Sequence, residues 1–287
     1  MNITKAVIPA AGFGTRMLPA AKAVPKEMLP VLDQPTIQYV VAEAAAGGVS
    51  DALLITSRDK KAVEDHFDRW PELEERLQAQ GKGDLLATVN ELAGRIRIHS
   101  VRQGQPLGLG HAVLQARDHV GDQPFVCLLG DTIFSGDIPP ARQLADAHAR
   151  FGGSLIGVEE VSPEKVSRYG IVGGEWIDDG VMRLDRLVEK PSPADAPSRY
   201  AIAARYVLSP TIFECLAQTP PGKGGEIQLT DALQRLLRRE PIHAVVLKSR
   251  RHDIGNPVDW LRTNLVFAAR DAALWRQIEP LVRALLK

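Results

Sequence analysis

Little in this chain points to redox, zinc or membrane chemistry. Its 287 residues hold two cysteines, Cys127 and Cys215, isolated from each other and outside any CxxC pair. No HExxH occurs either, so a zinc site is not expected. Cys127 lies in the apolar run 125–129 and reads as a small buried hydrophobe rather than a nucleophile. Lys and Arg number 35, as do Asp and Glu, so no global basic field recruits nucleic acid and any anion site must be local. No apolar run approaches the roughly 20 residues that span a bilayer. The first residues, MNITKAVIP, lack the apolar centre of a signal peptide. The expected location is the cytoplasm, with neither membrane nor nucleic-acid partners. Two familiar glycine motifs are missing as well. Met17 stands where a dinucleotide fingerprint needs its third glycine, and no Gly-Lys-Ser or Gly-Lys-Thr occurs for a P-loop. Internal repeats, low-complexity tails and interdomain linkers are absent too.

The most informative stretch is residues 9–30, PAAGFGTRMLPAAKAVPKEMLP. A short β-type segment, residues 3–8, feeds it. Gly12 and Gly14 let the backbone turn sharply and approach a ligand, and such a turn presents N–H groups to an anion. Arg16 and Lys26 add positive charge with only Glu27 nearby to cancel it. The stretch reads as a polyphosphate site.

The rest of the chain alternates strand and helix patterns. Ile37, Val40, Val41 and Ala44 share a helical face and Gly47-Gly48 stops that helix. The run 52–56 is an apolar strand. This order predicts parallel strands with ligands beyond their carboxyl ends. The charged segment 58–94 fits two short amphipathic helices. Residues 95–101 alternate like a strand, and 103–112, QGQPLGLGHA, form a tight loop leading to a helix over 111–117. Gln103 can donate and accept, as a nucleobase edge requires; a plain strand-to-helix connector is the other reading. Asp131 ends the apolar strand 125–129. A carboxylate there is costly unless it has a task, either metal coordination or a helix N-cap. A helix over 138–151 and strands over 154–158, 201–208 and 243–247 follow, with a hairpin tip at 176–180. Glu189-Lys190-Pro191 ends a strand and reads either as an exposed strand terminus or as a site, where it would offer an acceptor for sugar hydroxyls and a cation for a phosphate. Glu226, in the glycine-rich loop 222–228, faces either a pocket or the N-terminus of the next helix. Asp253 reads as an Asx-turn, and the chain is helical from Pro257 onward.

The stretch 9–30 resembles the signature of the sugar-phosphate nucleotidylyltransferases, and the likeness extends through QGQPLGLGHA, Gly130-Asp131, Glu189-Lys190 and Asp253-Ile254-Gly255 to about Asp259. Within 58–94, EDHFDR followed by ELE is similar to the members that use UTP. The resemblance implies an α/β chain with a three-layer Rossmann-like nucleotide-diphospho-sugar transferase fold and a mixed, mainly parallel central sheet. It implies a catalytic domain over 1–264 and a helical extension, 265–287, packed on it. It implies that UTP and glucose 1-phosphate combine to UDP-glucose and pyrophosphate, with Mg²⁺ as cofactor and a homodimer or homotetramer as assembly. Arg16, Lys26 and Lys190 become the catalytic cations. Ala10, Ala11, Gly12, Gly14, Thr15, Glu27, Gln103 and Gly108 become nucleotide-binding. Gly170, Glu189, Ala204 and Glu226 become sugar-binding, and Asp131 and Asp253 the metal ligands. One departure falls at Ala204, where many members carry glycine. The alternatives are dTTP or another nucleotide and sugar 1-phosphate in the same reaction, or a regulator that binds nucleotide sugars without turnover.

Overall fold

The computed structural model describes residues 3–92 and 94–285, with nothing said of the Lys223 side chain. The ends of the two expected domain segments, residues 1–2 and 286–287, and Ala93 in the charged segment lie outside the described residues. In chain order the elements are β1 (Lys5–Pro9), β2 (Pro30–Val31), β3 (Gln34–Pro35), α1 (Thr36–Ala46), β4 (Asp51–Thr56), α2 (Lys61–Asp65), α3 (Pro71–Ala79), α4 (Gly83–Val89), β5 (Arg97–Arg102), α5 (Leu109–Leu114), α6 (Arg117–Val120), β6 (Phe125–Leu128) and β7 (Thr132–Ser135). They continue as α7 (Pro140–Phe151), β8 (Ser154–Glu160), β9 (Gly170–Asp178), β10 (Val181–Glu189), β11 (Tyr200–Leu208), α8 (Thr211–Ala217), α9 (Leu229–Leu236), β12 (Ile242–Val246), β13 (Arg250–Asp253), α10 (Pro257–Arg270) and α11 (Ala272–Leu285).

Nine strands form one sheet in the order β5-β4-β1-β6-β11-β8-β12-β10-β9. β5, β4, β1 and β6 are parallel neighbours, β8 and β12 are parallel, and β10 and β11 run against the others. The sheet is mixed, with most strands pointing one way, as expected. Its central strands are apolar on both faces because both are covered. Val7, Leu53, Ile55, Phe125 and Cys127 join one core with residues of α5, α8 and α9. Their alternating neighbours Ala6, Ile8, Ala52, Leu54, Val126 and Leu128 join the other with α1 and α7. That alternation is the two-residue strand period and produces the three layers.

Three elements depart from the sequence expectations. The charged segment carries three short helices, α2 to α4, rather than two. The helix expected over 111–117 starts earlier, at Leu109, and is broken into α5 and α6. β7 and β13 pair with each other as a separate antiparallel ribbon, although residues 243–247 read as the last strand. The sequence of β13, Arg-Arg-His-Asp, shows no apolar alternation; backbone pairing with β7 and the cross-strand contact of Ser135 Oγ with His252 Nε2 at 2.8 Å hold it as a strand. Among the described residues, no helix is long and apolar enough to cross a membrane.

Candidate active site

The parallel half of the sheet delivers its loops to one edge. β1 ends at Pro9, whose carbonyl accepts from Gly130 N at 3.1 Å, and Ala10 N donates to Ile55 O at 2.8 Å. Gln103 N donates to Thr56 O at 2.8 Å. The glycine turn, the Asp131 turn and the Gln103 loop therefore start side by side. The β7–β13 ribbon adds the fourth piece. Asp253 is the register partner of Thr132, and Ile254 N donates to the Asp131 carbonyl at 3.0 Å. Two aspartates far apart in sequence are thus brought to neighbouring positions.

These elements open onto a cavity of ≈ 580 Å³ whose wall includes Arg16, Asp131, Glu189, Lys190 and Asp253. Gly170 and Ala204 also line it. Lys26 lies beside that wall, with its Nζ 2.5 Å from Asp131 Oδ2. This corrects the expectation that Glu27 was its only acid. Burial is the largest single influence on both and opposes both charges, but the surrounding partners together outweigh it, Asp131 with Glu27 for Lys26 and Lys26 with Arg16 for Asp131. Lys26 is held above its ordinary pKa, and Lys26, with Arg16 adding to it, holds the Asp131 carboxyl below the usual carboxylate range. Gly14, at φ +66, lets the turn close on the Lys26 stem, since a Cβ there would come within 3.2 Å of it. Ala10 and Ala11 are buried at the base of the turn.

Glu27 turns inward: its side chain is 1 % exposed and its carboxylate accepts from Lys60 Nζ at 2.7 Å. Burial pushes its pKa up, against the pull of Lys60. Glu226 sits beside the Gln103 loop: its carboxylate meets Gln228 Nε2 at 3.2 Å and its Cβ lies where a side chain on Gly108 would fall. A clasp between two loops sets this arrangement: Ile227 N donates to Leu107 O and Gly110 N to Ile227 O, both at 2.8 Å. Gln103 serves the same loop, its Nε2 lying 3.0 Å from Gly108 O and 2.9 Å from His111 Nδ1.

On the remaining wall, Glu189 is gripped by Thr230 Oγ1 at 2.7 Å and by Lys190 Nζ at 3.2 Å. Gly170 leaves no space for a side chain, as a Cβ would sit 2.8 Å from Ile202 Cδ1 and 3.1 Å from Glu189 Oε2. Lys190 and Ala204 both hold left-handed backbone, at φ 46 and φ 60. Such strain in non-glycine residues concentrates at functional sites. Asp253 forms its Asx-turn, accepting from Gly255 N at 2.7 Å, and lines the cavity too.

Sequence reasoning missed Arg251, Thr230 and Arg168, all on the cavity wall. Arg251 sits 4.3 Å over the Tyr169 ring and 2.5 Å from Glu159. Its place two residues before Asp253 puts both side chains on one face of β13, a strand that the four polar residues do not signal.

Among the described residues no cluster of three or more His, Cys, Asp or Glu side chains could enclose a metal. Asp131 and Asp253 are a pair of hard oxygen donors at one cavity. That set fits a cation such as Mg²⁺, which takes one or two carboxylates and completes its shell with water and substrate phosphates.

The nucleotidyl transferase family model matches residues 5–269. The chain is 52 % identical over 255 residues to the UTP–glucose-1-phosphate uridylyltransferase YngB of Bacillus subtilis strain 168, covering 89 % of this chain and 86 % of the relative. A solved structure of UTP-bound UGPase from Acinetobacter baumannii superposes with a TM-score of 0.90 at 36 % identity, covering 98 % of both chains. A UDP-glucose pyrophosphorylase complexed with UDP-glucose superposes with a TM-score of 0.85 at 38 % identity, covering 93 % of this chain and 99 % of the other.

Proposed function

The chain belongs to the nucleotidyl transferase family, and from that membership we propose that it transfers the uridylyl group of UTP to α-D-glucose 1-phosphate, giving UDP-glucose and pyrophosphate. The observation that carries this reading is a single cavity lined both by Arg16, Asp131 and Asp253 and by Glu189 and Lys190. One set suits a triphosphate, the other a sugar phosphate. Relatives named for this reaction, and neighbours holding UTP or UDP-glucose, support the choice of substrates.

An oxygen of the sugar phosphate attacks the α-phosphorus of UTP in line. The new P–O bond forms as the bond to the bridging oxygen breaks, and the electron pair leaves with pyrophosphate. That nucleophile is anionic at neutral pH, so the chain needs no general base, and its work is positioning and charge. Ala10, Ala11, Gly12, Gly14 and Thr15 admit the triphosphate to the backbone after β1. Arg16 stabilises the departing pyrophosphate. Lys26 exchanges Asp131 for the reacting phosphates. Gln103, its NH₂ held by the loop, turns its carbonyl edge to the base while Gly108 keeps the loop closed. Lys190 holds the sugar phosphate, Glu189 accepts from sugar hydroxyls, and Gly170 and Ala204 give close backbone approach. Asp131 and Asp253 would hold Mg²⁺, which supplies charge neutralisation on the triphosphate when bound.

Pyrophosphate release, assayed for each nucleoside triphosphate against a panel of sugar 1-phosphates, tests the reading. The expected maximum is UTP with glucose 1-phosphate. A maximum with dTTP moves the assignment to another nucleotide, and nucleotide-sugar binding without any release makes the chain a regulator.

A further inference from the structure

Beneath the cavity floor lies a charge that the proposed reaction leaves unused. Arg205 is 0 % exposed and heads the fully buried side chains by volume. Its Nε and Nη2 meet the two Glu43 carboxylate oxygens at 2.8 and 2.7 Å. Nη2 also donates to Thr132 O at 2.8 Å, and Nη1 to Ala204 O at 3.0 Å and Leu129 O at 3.4 Å. The guanidinium carbon lies 4.7 Å from the centre of the Phe134 ring. Glu43, on α1, also accepts from Ala141 N at 3.2 Å, which ties the pair to the start of α7.

A buried ion pair is a poor stabilising device, because the cost of desolvating both ions often cancels their attraction and apolar residues of the same size can do as well. What distinguishes Arg205 is where its remaining donors go. Leu129 and Thr132 bracket Asp131, and both line the cavity together with Ala204. Ala204 holds left-handed backbone at φ 60, a conformation that persists only where its surroundings over-determine it. Here they do: the Ala204 carbonyl accepts from Arg205 Nη1 and, at 3.2 Å, from Leu129 N. One rigid, planar fork therefore ties the Asp131 turn to the strained Ala204 backbone on the adjoining strand, and Glu43 fixes the fork from behind.

We propose that Arg205, held by Glu43, is a positioning residue that sets the Asp131 carboxylate and the adjoining Ala204 backbone in register on the cavity wall. The proposal rests on the reading of Asp131 as a metal-binding carboxylate. Lysine cannot reproduce it, since an ammonium lacks the planar fork that meets a carboxylate and backbone carbonyls together.

Arg205→Lys and Glu43→Gln are compared with the unaltered protein. Their folding is checked by thermal unfolding. Mn²⁺ binding in the presence of UTP is measured by electron paramagnetic resonance, well below the unfolding temperature, and kcat and KM for both substrates are measured alongside. The expected result is two folded variants whose Mn²⁺ affinity in the UTP complex falls about tenfold and whose kcat falls by about 10- to 100-fold, the range for supports of metal-binding groups, with KM for glucose 1-phosphate changed far less. Folded variants with unchanged Mn²⁺ affinity and unchanged kcat overturn the proposal. So does loss of a cooperative unfolding transition in both, because the pair then only holds the fold. Failure of the functional reading has a different signature: the unaltered protein itself releases no pyrophosphate from UTP and glucose 1-phosphate.

Discussion

Lys26 and Asp131 show how much one contact can change the meaning of two residues. Read along the chain, one is an unpaired cation and the other an acid with a metal to hold. In the fold they neutralise each other at 2.5 Å, so each weakens the pull of the other on a ligand. Lys26→Met is therefore expected to tighten Mn²⁺ binding to the nucleotide-free protein while lowering turnover with UTP, and calorimetric titration with Mn²⁺ beside a turnover assay reads both signs. Ala204 offers a test on stability. Alanine at φ 60 carries a steric penalty that glycine lacks, and the penalty exceeds the chain entropy that glycine adds to the unfolded state. Ala204→Gly should stabilise the protein by about 1 kcal/mol, seen as a higher midpoint in urea unfolding. The resemblance placed Ala204 among the sugar-binding residues, but its left-handed backbone was not legible, because that goes with the irregular register of β11 against β8 between Ile202 and Tyr206.

At the scale of elements, the loop 103–110 acts through its clasp on residues 226–227. A Cβ on Gly110 would come 2.7 Å from Ile227 O and 2.9 Å from Leu216 Cδ2, closer than packing allows. Gly110→Ala should part the two loops and raise KM for UTP by about tenfold, the size of one lost positioning contact of about 1.4 kcal/mol. Steady-state kinetics with UTP varied decide it, and an unchanged KM would show that the clasp does not shape the nucleotide site. The glycines of this loop were visible in the sequence; the partner they close upon was not. The β7–β13 ribbon makes the same point more strongly. Arg251 and Asp253 share a strand face only because Arg250–Asp253 pairs with Thr132–Ser135, and four polar residues carry no period from which that pairing could be read.

For the whole molecule, pH dependence follows from buried histidines. Burial lowers the pKa of His66 and His243, the latter helped by Arg183, and takes His252 down to about 4 with help from Arg250 and Arg270. His243 Nδ1 is also buried without a hydrogen-bond partner. Each folded-state pKa lies below the unfolded value of about 6.5, so protons bind the unfolded chain first. The stability is fully present above about pH 6.5 and falls as the pH drops toward the folded values. His243→Leu should flatten part of that acid loss, measured as a smaller difference in Tm between pH 8 and pH 5. The sequence by itself determined the layered α/β architecture, because apolar runs, helical periods and glycine stops are local. It also determined the chemistry of residues 9–30, because glycine freedom and cationic side chains need no context to suggest an anion. Only the tertiary structure decided which charges remain for a ligand. It turned Glu27 inward onto Lys60, joined Lys26 to Asp131, and buried Arg205 beneath the Asp131 turn and the adjoining Ala204. Coulombic and hydrogen-bond partners are chosen by proximity in space, and residues 43, 131, 205 and 253 become neighbours only when the sheet and its ribbon are assembled.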